Sequence, residues 1–297
     1  ADYITADTRA RLNLFIDDKI AYTQLDGETY KDALNNQFRI KKFVTGSVYF
    51  LEYNYRDNRI TRNKNLRAAI QAAFDPEEFV NKVLQTPGNL PGRSLFPTWI
   101  QGVEKTFREE YPPPEVKPDL TRARALLTSA KQELGLEEIP PLILLVSDSP
   151  TATKQAEYMQ GMLKTRLGLD LKIDVQPFKQ RLATMPSGEF DIVGAGWAPD
   201  FDDIMTFGDL FASWNLNNRG RYVNPEYDRL VRVAMNSSDP KTRMDAMSGL
   251  QSILIEDAVM LPMYEQGVIY LQHPKLKGMR RTVIGSDPDF TYARIAP

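Results

Sequence analysis

The chain has 297 residues, 42% apolar and 26% charged, with a formal charge of −2, enough for one large globular domain or two ordinary ones. It holds no cysteine and one histidine, His273, which removes the ligands of most zinc, copper and iron sites and leaves a single imidazole for nucleophilic catalysis. No run of eighteen apolar residues is present, and the interspersed charges form no basic stripe for a nucleic-acid backbone.

The first residues, Ala1-Asp2-Tyr3-Ile4, carry no methionine, basic region or apolar signal stretch, so the chain is expected to be processed or cut from something longer. The first fifty residues give a weak helix pattern. Lys42 to Tyr55 is aromatic and β-branched, which predicts a strand with a bulge near Gly46. Asn65 is the expected cap of a helix carrying Leu66, Ile70, Ala73 and Phe74. Asp75-Pro76, with Glu78 three residues after the aspartate, opens the next helix. Residues 87–119 hold seven of the 20 prolines and are expected to be irregular. Leu120 to Leu134 follows helical spacing up to Gly135.

Strand and helix then alternate. Leu142–Val146 is an apolar run, Thr153–Leu167 has helical spacing, and 169–175 alternates strictly. Phe178–Met185 forms a short helix, and Phe190–Ala195 is a third apolar run. This order predicts a parallel sheet with right-handed crossovers. Asn224-Pro225 and Asp239-Pro240 open two further helices, and Val259–Tyr264, extended by Gly267–Leu271, is a late strand. The tail from His273 reads as polar loop.

Open parallel sheets take ligands beyond the carboxyl ends of their strands. The run 190–195 ends there at Gly-Trp-Ala-Pro-Asp-Phe-Asp-Asp (196–203). Trp197 is either a cleft wall or a plug of the core, and Asp200 is suited to accept from a cationic group. One of Asp202 and Asp203 is expected to cap a helix starting near Ile204. On local features alone, a solvated acidic loop is the competing reading.

GAGWAPDFDDIMTFGDLF (194–211) followed by NNRGRYVNPEYDRLV (217–231) resembles the bacterial extracellular solute-binding proteins of family 5, the substrate-binding proteins of oligopeptide, dipeptide and nickel ABC transporters. LRAAIQAAFDPEEFVNKVL (66–84), TRARALLTSA (121–130) and VMLPMYE (259–265) extend the resemblance. It implies an α/β lobe of the type II periplasmic-binding-protein class, a parallel or mixed sheet flanked by helices, with part of a second lobe. Residues 1–52 would be the tail of the first lobe, 53–267 the ligand-binding lobe and 268–297 a return into the first lobe. The family's opening part is missing, so the chain is expected to be a portion of a longer protein.

The same resemblance implies a carrier without cofactor, metal or enzymatic activity, located in the periplasm or anchored at the cell surface. It would bind a peptide as a monomer and deliver it to membrane permease subunits. Asp200, three residues after the tryptophan, would pair with the ligand's α-ammonium. Trp197, Asp203, Tyr53, Asn54 and Tyr264 complete the expected ligand set. The crossing segments 52–54 and 264–265 would add to an extended peptide, with Tyr264 equally readable as structural. Gly194 stands where some peptide-binding members carry a charged residue. The competing classes are a hydrolase using Asp200 and Asp203 as paired carboxylates, and a calcium module, for which the loop lacks further ligands.

Overall fold

The computed structural model describes residues 7–285 and 287–296; the reading of Ala1–Ile4 lies outside them. Three short elements, α1 (Thr8–Ile16), β1 (Tyr22–Leu25) and α2 (Gly27–Asn35), precede the long strand β2 (Lys41–Tyr53). α3 (Lys64–Ala73) begins on Asn63, whose Oδ1 accepts from the Leu66 N–H. The cap thus lies two residues before the expected Asn65, because Asn63 has the extended backbone a cap requires. α4 (Pro76–Glu78) has the expected Asp75 cap and continues as a π-helical turn, Phe79–Leu84.

β3 (Leu90–Pro91) and α5 (Phe107–Glu110) punctuate the proline-rich stretch, and α6 (Leu120–Leu134) stops at Gly135. The predicted alternation follows as β4 (Leu142–Ser147), α7 (Pro150–Leu167), β5 (Leu171–Gln176), α8 (Phe178–Ser187) and β6 (Ile192–Trp197). α7 starts three residues before its expected position because Ser149 caps it and Pro150 suits the first turn. α9 (Met205–Gly208), α10 (Pro225–Asn236) and α11 (Pro240–Glu256) lead to β7 (Met260–Gln272), and a short ladder of β8 (Leu276–Lys277) with β9 (Arg294–Ile295) ends the chain.

One sheet runs in the order β1-β7-β2-β6-β4-β5, with β3 added to β7. β5, β4 and β6 are parallel, as helical crossovers require. β2 is antiparallel to both β6 and β7, so the sheet is mixed. The alternation of β2 serves two cores: Leu51 and Tyr53 face α3, α6 and α7, while Val48 and Phe50 face α10 and α11. A third, smaller core of Leu12, Phe15, Leu25 and Ala33 closes on Ile269 and Leu271.

β2 and β7 therefore run from the small core into the large ones. The register of β2 on β7 shifts between Val44 and Val48, at the predicted bulge. Gly46 sits there with φ 81°, and a β-carbon would lie 2.7 Å from Nε1 of Trp99. The boundary expected at 52/53 falls inside β2, whose residues Val48–Tyr53 already pair with β6.

Candidate functional site

β4 and β6 pair through only two register positions, Leu144 with Ile192 and Leu145 with Val193. Beyond them β4 turns at Ser147 into α7, while β6 runs on to Trp197. The strands part at their carboxyl ends, the position where open sheets hold ligands. A cavity of about 320 Å³ opens there, bordered by Tyr49, Ser147, Ser149, Arg181, Gly196 and Tyr264 among others.

Tyr49 and Tyr264 are cross-strand neighbours on β2 and β7, and their rings stack. The Tyr264 hydroxyl accepts from Gln155 Nε2 at 3.2 Å, and burial pushes its phenol well above the ordinary tyrosine range. Gly196 has a local reason: a β-carbon there would lie 2.9 Å from the Tyr49 ring. Across the cavity Arg181, on α8, is 8% exposed. Its Nη1 donates to Ser147 Oγ at 2.8 Å, its Nη2 to the Gly194 carbonyl, and its buried Nε has no partner among the described residues.

Trp197 ends β6, half-buried against the α10–α11 core, and its Nε1 donates to Thr206 Oγ1 at 3.3 Å. The same hydroxyl accepts from the Asp200 N–H at 3.0 Å, which fixes the loop between strand and α9. Asp200 itself is exposed, and among the described residues its carboxylate has no hydrogen-bond or ion-pair partner. Asp203 is spoken for: Arg243 Nη2 lies 2.7 and 2.8 Å from its two oxygens, and Oδ1 also accepts from the Met205 N–H. Of the two expected roles, helix start rather than ligand contact is what its surroundings provide, and with it the proposed Asp200–Asp203 acid–base pair loses its second free member.

The crossing segments differ from expectation. Tyr53 and Asn54 are fully buried. Asn54 Nδ2 donates to the carbonyls of Gly188 and Phe190, and Tyr53 belongs to the core under α3. Neither borders the cavity. Residues 52–53 pair on β6, and Glu52 also on β7, so Glu52 offers no open edge for a peptide to extend. Glu265 is likewise consumed, by the Thr98 N–H and hydroxyl and by Arg108 at 2.7 Å. Tyr264 alone of the expected crossing residues borders the cavity. Tyr49, Ser147 and Arg181 were not among the expected residues, since the spacing of α8 gives no sign of an inward arginine.

Comparison with known proteins agrees with this architecture. The family model described as bacterial extracellular solute-binding proteins, family 5 middle, matches residues 2–218. The dipeptide-binding protein DppE of Bacillus subtilis is 30% identical over 86% of this chain and 46% of its own length. A substrate-binding domain of an oligopeptide ABC transporter from Bacillus anthracis superposes with a TM-score of 0.88 at 27% identity, covering 99% of this chain and 58% of that one. Listeria monocytogenes OppA bound to peptide gives 0.84 at 26% identity, over 99% and 57%. The chain spans about half the length of the curated relatives it matches. The mixed sheet flanked by helices is the fold of these carriers, and the chain belongs to the bacterial extracellular solute-binding proteins of family 5.

Proposed function

We propose that this chain forms one wall of the peptide-binding cleft of an ABC importer's solute-binding component, which carries peptides outside the cytoplasm to a membrane permease. The observation that carries the reading is the open edge of β6. Beyond Val193 the strand has β2 on one side and, among the described residues, no strand on the other. The Gly194 carbonyl points to that open side, since Arg181 meets it there. By strand alternation the N–H and C=O of Gly196 point the same way, ready to bond an extended peptide.

The unpaired carboxylate of Asp200 stands just past the end of this edge, suited to an α-ammonium in a charge-assisted bond. Trp197 would cover apolar ligand surface beside it. The lobe carrying these groups is taken as 53–267, with 1–52 and 268–297 belonging to the other lobe; the register shift near Gly46 supports a hinge where β2 and β7 cross. Engagement of Asp203 by Arg243 favours a carrier over a carboxylate hydrolase. The test is mass spectrometry of ligands released by denaturing the intact protein purified from its host. Peptides are expected; release of only sugars, metal chelates or no ligand overturns the reading.

A further inference from the structure

Arg181 is a buried cation with no counter-ion among the described residues. Among the described residues no carboxylate lies at ion-pair distance from it. The acid whose charge acts on it, Glu52, is already held by Arg219 at 3.3 Å and by the Gly220 N–H at 2.7 Å. Arg219 adds positive charge to the same neighbourhood. Taking a guanidinium out of water without a compensating charge is expensive by several kcal/mol. At a cavity wall such a group is a candidate binding site for a ligand of the opposite sign.

The rest of the cavity wall suits that ligand. Ser147 Oγ accepts from Arg181, which leaves the hydroxyl hydrogen free to donate. Ser149 caps α7, an eighteen-residue helix whose amino end borders the same cavity through Ser149, Thr151 and Ala152. That end carries a partial positive charge, and because Pro150 has no N–H and the Ala152 N–H donates to Ser149 Oγ, the Thr151 N–H is the donor of the first turn with no partner among the described residues. Asp148, between the two serines, is exposed and does not border the cavity. Gly194 brings no side chain of its own, and Arg181 reaches its carbonyl from α8.

We infer that Arg181, Ser147 and the first turn of α7 form a receptor for a carboxylate of the bound peptide, with Arg181 as the residue that sets the preference. The inference rests on the peptide reading above. The carboxylate is either the peptide's C-terminus or an acidic side chain. From Gly194 to Trp197 β6 advances three steps of strand rise, about 10 Å, the length of an extended tripeptide.

The test uses the intact protein and two pools of random tripeptides, one with free C-termini and one C-terminally amidated, with retained peptides read by mass spectrometry. A C-terminal receptor retains the free acids at least tenfold over the amides. A side-chain receptor retains both pools but enriches aspartate and glutamate at one position at least tenfold. Equal retention of both pools with no acidic enrichment overturns the inference and leaves the peptide reading standing. Retention from neither pool overturns both. Arg181→Met is expected to abolish whichever preference is seen while still retaining peptides, and Arg181→Lys to keep part of it. A preference unchanged in a folded Arg181→Met variant sinks the role given to this residue. Should that variant fail to fold, the pool comparison on the unaltered protein still decides.

Discussion

The ring of Tyr264 lies flat on that of Tyr49, with centroids 4.6 Å apart and planes inclined by 2°. The two residues sit opposite each other on β7 and β2, the strands that join the small core to the large ones. Their stack therefore borders the cavity and fastens the crossing strands at once. Tyr264→Ala removes a buried ring and its partner contact, so a loss of about 3–5 kcal/mol is expected, read as a lowered urea midpoint. Tyr264→Phe keeps the stack and gives up the bond from Gln155, worth about 1 kcal/mol. Equal losses in the two variants would show that the hydroxyl, not the stacked ring, carries the contribution.

Asp200 gives the opposite pattern. Its carboxylate is exposed and without a partner among the described residues, so replacing it removes no folded-state contact. Asp200→Ala is expected to leave the urea midpoint within about 0.5 kcal/mol of the unaltered protein. If the ammonium pairs with it across a closed cleft, the same change weakens peptide binding at least tenfold in calorimetry on the intact protein. Unchanged affinity would remove Asp200 from the ligand set.

These contrasts mark what the sequence reveals and what it does not. The Asp-Pro and Asn-Pro starts at Asp75, Asn224 and Asp239 are local chemistry, and each forms where the residues predict. The crossovers among β4, β5 and β6 follow from element order. The directions of β2 and β7 do not, because their partners lie more than a hundred residues away. Arg181 was illegible for a related reason. In α8 Phe178 is 61% exposed while Arg181 turns inward, since Ser147 and the Gly194 carbonyl, supplied by the separate strands β4 and β6, make the polar niche that receives it. Tyr53 and Asn54 are the reverse case: a crossing strand suggested ligand contact, but both residues are fully buried, Asn54 on the carbonyls of Gly188 and Phe190.

Arg67 shows how a buried guanidinium behaves when it is fully satisfied. Its three nitrogens donate to the carbonyls of Thr61, Arg62, Asp257 and Ala258, and it lies 4.6 Å over the Tyr55 ring. Arg67→Met leaves buried carbonyls without donors and is expected to cost about 3–5 kcal/mol. Arg67→Lys should recover little, because one ammonium cannot span a fork of four acceptors. Full recovery of the urea midpoint by lysine would show that charge, not geometry, ties α3 to the end of α11.

Glu52 couples the cavity's surroundings to pH. It is buried in β2, and burial raises its carboxyl above the ordinary range despite the nearby Arg219 and the Gly220 N–H. In the window between its unfolded and folded values the native state holds more protons than the unfolded chain. Stability from this group is therefore greatest at low pH and falls as pH rises through the folded value. Glu52→Gln removes that titration while its amide oxygen still accepts from Gly220. Urea midpoints of the variant minus those of the unaltered protein should thus climb from pH 4 to pH 7. A difference that stays flat or declines across that range would mean Arg219 compensates the burial in full, and the loop from Asn217 to Arg221 would then be pinned by a pair that is ionised throughout.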